Sequence, residues 1–119
     1  MSHDPHDVED RRGLRFPFDA DAEILVENSV RKVPARVTEL SFRGCFVQIS
    51  PALKERQRIL LKIRHEKESL EASGEVMYVR PGGVAVLFDE LEPQALNVLQ
   101  DWILNALDIQ AEAERQREK

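Results

Sequence analysis

The sequence lacks most of what a covalently stapled, metal-bound or membrane-embedded fold requires. It has one cysteine, Cys45, so it can form no internal disulfide and no cysteine-based zinc site, as a reducing compartment would suit. Its longest uninterrupted apolar stretch, Val84 to Phe88, is far below the roughly 18 residues of a membrane helix. No apolar block follows Met1, and a cytoplasmic domain is expected. Basic charge is in deficit: Lys+Arg of 17 against Asp+Glu of 22 gives a net charge of −5, which argues against bulk electrostatic binding of long nucleic acid. A local basic patch for a small anion remains open. Catalytic settings for histidine are missing as well. His3 and His6 lie in a polar tail and His65 in the charged turn HEKES, none with a nucleophile close in sequence. His3 and His6 with Asp4 and Asp7 read as solvated chain rather than a metal site, and Cys45 as an inert small hydrophobe. Neither an enzyme nor a metal protein is expected.

What is present is room for one domain, since 119 residues with 42% hydrophobic content can bury a single core and leave a flank or two. Residues 1–10 carry four acids and two histidines with little apolar content and are expected to be a flexible acidic tail. Residues 11–18, RRGLRFPF, swap acid for base and form an arm that leads into the domain. From Asp21 the apolar period is two, as half-buried strands require. Ala22, Ile24 and Val26 mark a first strand, Val33, Ala35 and Val37 a second, and Cys45, Val47 and Ile49 a third, with Glu39 to Gly44 as the turn between the last two. Ile59, Leu61 and Ile63 mark a fourth. Leu70, Ala72, Val76 and Tyr78 mark a fifth, interrupted by Gly74, where a bulge or a close backbone approach is expected. Gly82 and Gly83 close a hairpin into a sixth strand, Val84 to Phe88.

Six short strands spanning residues 19–90 predict an antiparallel β-barrel or sandwich. The period then becomes helical. Pro93 suits a first turn, and Ala95, Val98, Leu99, Trp102, Ile103, Ala106 and Leu107 fall on one stripe, predicting a closing helix over 92–107 with Trp102 in the core. Residues 108–119 keep helix-forming residues without the stripe and read as a solvated helical extension.

Two signals remain after this accounting. Arg11, Arg12 and Arg15 put three guanidinium forks in one short segment of an otherwise acidic chain, and such forks match phosphate oxygens and the O6 and N7 edge of guanine. The second is ELSFRGCF, where Glu39 and Ser41 precede Gly44 between two strands. A carboxylate accepts from guanine N1 and N2, a hydroxyl serves either edge, and glycine lets the backbone turn beside a flat ring.

In combination, over residues 11 to 107, these features resemble the PilZ domain family, bacterial receptors for the dinucleotide second messenger cyclic di-GMP. The family's R-x-x-x-R is matched by Arg11 and Arg15, and its Asp or Asn-x-Ser-x-x-Gly by Ser41 and Gly44 with Glu39 in the acidic place. The run GEVMYVRPGGVAVLF is similar to the family's paired closing strands. The resemblance implies a mainly β fold, a six-stranded antiparallel barrel with a C-terminal helix and an N-terminal arm. It also implies a cyclic di-GMP site formed by Arg11, Arg12, Arg15, Glu39, Ser41 and Gly44, and an unidentified protein effector that receives the signal. Family members without a working signature act as protein-binding adaptors, which is the alternative reading. Asp10, just before the first arginine, stands where the family tunes whether one or two nucleotides bind.

Overall fold

The computed structural model describes residues 15–50 and 53–117, with the side chains of the last helix described as far as residue 109. Six strands and one helix follow in order: β1 (Phe16–Val26), β2 (Lys32–Leu40), β3 (Gly44–Gln48), β4 (Arg58–His65), β5 (Glu68–Arg80), β6 (Gly83–Phe88) and α1 (Pro93–Arg117). The strands close in the order β1-β2-β3-β6-β5-β4, and every neighbouring pair is antiparallel. Closure leaves no open sheet edge along this circuit.

The expected period of two is what lines the barrel. Ile24 from β1, Val37 and Leu40 from β2, Val47 from β3, Leu61 and Ile63 from β4, Leu70 and Val76 from β5, and Val84 from β6 are buried together. The helix caps one end: Leu99, Trp102 and Ile103, at the spacing of one helical face, complete the same core. Trp102 is therefore a core residue, as its stripe predicts, and its indole N–H donates to Glu68 Oε1 at 3.2 Å. Among the described residues no helix is long and apolar enough to cross a membrane.

Several boundaries differ from the sequence reading. The barrel starts at Phe16 rather than at residue 19, because Phe16 and Pro17 already pair with Leu40 and Glu39. For the same reason Glu39 and Leu40 belong to β2, and the connection to β3 shrinks to Ser41–Arg43. The β5 irregularity lies between Val76 and Tyr78, not at Gly74. Of the two alternatives expected at Gly74 the structure has the close approach: a Cβ there would stand 2.5 Å from the Leu87 carbonyl oxygen. The hairpin after Arg80 uses Gly82 at φ 90°, a conformation that glycine alone adopts freely. The helix continues to Arg117, so the extension is an unbroken continuation of the capping helix.

Candidate functional site

The turn Ser41–Gly44 is braced from within. The Ser41 N–H donates to the Gly44 carbonyl at 2.9 Å, while the Ser41 hydroxyl accepts from the amides of Arg43 at 3.2 Å and Gly44 at 3.1 Å. That hydroxyl also lies 3.2 Å from the Gly44 carbonyl, to which it donates. Ser41 is buried, and its side chain fixes the turn rather than projecting from it. Gly44 also answers a packing demand. It pairs with Leu87 across β3 and β6, and a Cβ on it would meet the Val86 carbonyl oxygen at 1.9 Å. The glycine keeps two strands together beneath the turn.

Arg15 stands over this corner. It immediately precedes β1, and the pairing of Phe16 with Leu40 delivers it beside the end of β2. Its guanidinium donates to Glu39 Oε1 at 3.4 Å and to the hydroxyl of Tyr78, and its central carbon lies 5.5 Å from the Tyr78 ring centroid. The Tyr78 hydroxyl first, and Glu39 after it, hold Arg15 further toward its charged form, with burial opposing them. Arg80 packs on the same ring, with its guanidinium carbon 4.6 Å from the centroid. Tyr78 thus lies against two cations, each a favourable contact with the negative face of its π-system.

Between these groups is a cleft of about 230 Å³ lined by Arg15, Ser41, Gly44, Met77, Tyr78 and Leu87 among others. Met77 and Leu87 are partly exposed on its wall, whereas Cys45 at its base is buried, and burial pushes its thiol up to about 12. A thiol held neutral is a poor nucleophile, which agrees with the inert reading of Cys45.

Of the six residues named from the sequence, the structure gathers Arg15, Glu39, Ser41 and Gly44 at one corner of the barrel. Arg11 and Arg12 lie outside the described residues, as do the acidic tail and the mobility expected of it. Glu39 reaches Arg15 at 3.4 Å while its side chain stays about half exposed. Tyr78 and Arg80 were not singled out. A signal for them existed: an aromatic and an arginine two residues apart on a strand share a face. No group of three or more His, Cys, Asp or Glu side chains suited to a metal occurs among the described residues.

Comparison with known proteins places this geometry. The model of the PilZ domain matches residues 9–105. The fold is similar to the PilZ domain of CeSA from a cellulose-synthesising bacterium, with TM-score 0.62 and 15% identity over 82% of this chain and 98% of that one. It is also similar to the PilZ domain of Escherichia coli YcgR solved with c-di-GMP, with TM-score 0.66 and 12% identity over 89% and 95% of the two chains. A third likeness is to the Bacillus subtilis inhibitor of motility MotI/DgrA, with TM-score 0.65 and 17% identity over 80% of this chain and 50% of that one. No curated protein matches the chain. With the family model spanning most of the sequence and the closed barrel, capping helix and arginine-bearing corner in place, the chain belongs to the PilZ domain family, a family of non-catalytic signalling modules.

Proposed function

We propose that this domain binds cyclic di-GMP in the cytoplasm and passes the signal to a protein partner. The observation that carries the reading is the position of Arg15, the last arginine of RRGLR, directly over the Glu39–Gly44 corner. Two sequence signals 24 residues apart thereby become one site. The likeness to YcgR, solved with c-di-GMP, supports the choice of ligand.

In this reading a phosphate of the dinucleotide takes the place of Glu39 and the Tyr78 hydroxyl on the Arg15 fork, since an anion with two oxygens offers the stronger bidentate partner. Glu39 then turns to the N1 and N2 donors of a guanine. The cleft is smaller than the roughly 300 Å³ at which pockets enclose a whole ligand, so it takes one ring and leaves the rest of the dinucleotide to Arg11 and Arg12. Met77, Leu87 and the Tyr78 ring supply the apolar wall for that ring. Ser41 acts by holding the turn, and Gly44 by letting β3 and β6 close beneath it.

The second reading, an adaptor that works without nucleotide, is favoured by one observation. Arg15 already has two partners in the free domain, so the corner is complete without a ligand. Isothermal titration calorimetry with cyclic di-GMP decides. Saturable heat that weakens in Arg15→Ala establishes the receptor, and no heat with the parent protein leaves the adaptor.

A further inference from the structure

The opposite flank of β1 carries a second concavity. Phe18 follows Arg15 by three residues but faces the helix: its ring lies 4.5 Å from the centroid of His65 and 5.3 Å from that of Trp102, and the last two rings are 5.6 Å apart. The β1–β2 register breaks between Pro17 and Ala20, which frees Phe18 from the ladder and lets it lean on α1. Beside this aromatic trio is a mostly apolar groove of about 450 Å³, bounded along α1 by Trp102, Ala106 and Ile109. Those three residues span two helical turns, or roughly 10 Å of helix. Ile109 is 71% exposed at its far end.

The rim is acidic. Asn105 lines the groove, and the exposed Asp101 and Asp108 stand four residues before it and three after it, hence on the same side of the helix. Asp19 lines the facing side, where Arg36 holds it at 2.5 Å. An apolar floor two turns long beneath carboxylates is complementary to an amphipathic helix with aliphatic residues at i, i+3 or i+4 and i+7, flanked by lysine or arginine. A second copy of this chain does not fit that description. Its own sequence past residue 109 has only Ala111 and Ala113 as apolar residues, and its three acids (Glu112, Glu114, Glu118) balance its three bases (Arg115, Arg117, Lys119), so it supplies neither the aliphatic face nor the net positive charge.

We propose that the groove between Phe18 and α1 docks a basic amphipathic helix of a partner protein. The test uses Trp102, the only tryptophan, whose fluorescence reports from the groove wall. The probe is a synthetic helical peptide with leucines on one face and lysines on the other, titrated at about 0.15 M salt, where the Debye length is about 8 Å. A counterpart with glutamate in place of lysine serves as the charge control. Expected is a saturable change in Trp102 emission with the lysine peptide, at least tenfold weaker with the glutamate peptide. The same loss is expected in Ile109→Glu and in the double variant Asp101→Lys, Asp108→Lys, all at exposed positions whose circular dichroism should match the parent. Leu60→Ser, on the outer barrel wall, should bind as the parent does. Equal binding of both peptides, undiminished binding by the groove variants, or sedimentation equilibrium showing a dimer that Ile109→Glu dissociates would each overturn the proposal.

Discussion

Arg15 donates its guanidinium to the hydroxyl of Tyr78, a residue 63 positions further along the chain on β5, a strand that does not pair with β1. The contact ties Arg15 to β5 before any ligand arrives. It also sets opposite expectations for two substitutions at one position. Tyr78→Phe keeps the ring on which Arg15 and Arg80 pack but removes the acceptor that a phosphate must displace. Its affinity for cyclic di-GMP should be equal to or tighter than that of the parent. Tyr78→Ala removes the apolar wall as well and should weaken binding by about 1 to 3 kcal/mol, the usual worth of one stacked base. Titration calorimetry on the two variants checks both.

Arg15→Ala should weaken nucleotide binding by about 1 to 3 kcal/mol, because it removes charge-assisted hydrogen bonds at the corner. Thermal stability without ligand should fall by less than about 1 kcal/mol, since the Arg15–Glu39 pair is exposed and screened. Glu39→Asp should bind equally or more tightly, with one fewer rotatable bond to fix, and Glu39→Ala more weakly. Equal affinity across Glu39, Asp and Ala would show that the carboxylate serves only as a partner for Arg15.

Gly44→Ala should be the most damaging single methyl in the turn. The new Cβ would stand 1.9 Å from a main-chain oxygen of Val86, and a main-chain oxygen cannot rotate aside as a side chain can. Relief requires β3 and β6 to part at the Gly44–Leu87 pair. A loss of about 3 kcal/mol, the upper part of the usual overpacking range, is expected in urea unfolding without ligand. A variant that folds as stably as the parent but fails to bind would place the role of Gly44 in ligand contact instead.

The barrel was legible because its strands alternate. Val33, Ala35 and Val37, or Ile59, Leu61 and Ile63, announce both element and inward face. The corner was legible only in part. Arg15, Glu39, Ser41 and Gly44 lie in two short motifs, but their roles depend on contacts that only closure creates. Glu39 read as a turn residue because period-two evidence ends at Val37, whereas its place on β2 comes from pairing with Pro17, a residue that reads as a strand breaker. Ser41 read as a ligand group, since nothing in the sequence shows a hydroxyl already engaged by the amides two and three residues ahead. Tyr78 reads only as a strand residue and Arg80 carries no signal of its own, because their partner Arg15 is brought near by the β5–β6–β3–β2–β1 circuit. The helical continuation beyond Leu107 was legible too, because helix formers continue there after the apolar stripe ends, and α1 runs unbroken to Arg117.

Trp102→Ala should cost about 3 to 5 kcal/mol, the usual range for truncating a buried tryptophan, and should leave the domain largely unfolded at ordinary temperature. Truncation after Leu107 should leave the barrel intact, because the core contributions of α1 end at Ile103 and the partly buried Ala106. Circular dichroism melts of the two proteins check this. Truncation should also remove Ile109 and with it the far end of the aromatic groove, so loss of peptide binding with an unchanged melt would separate docking from folding.

The last prediction concerns alkaline stability. Burial pushes the Cys45 thiol from its ordinary 9.0 up to about 12, because the thiolate has no partner to replace its hydration at that depth. Below pH 9 the thiol is protonated in both folded and unfolded chains and contributes no pH dependence. Above it the unfolded chain releases the proton while the folded chain retains it, so the unfolded state binds fewer protons and stability falls as pH rises toward 12. The slope approaches about 1.4 kcal/mol per pH unit for a single group. The measurement is a difference, so that contributions common to both proteins cancel: urea midpoints of the parent and of Cys45→Ala from about pH 8, below the window set by those two values, to about pH 10.5, inside it. The parent should lose stability faster than the variant. Parallel curves would mean that the thiol reaches solvent, and Cys45 would then also react with a thiol reagent in the folded domain.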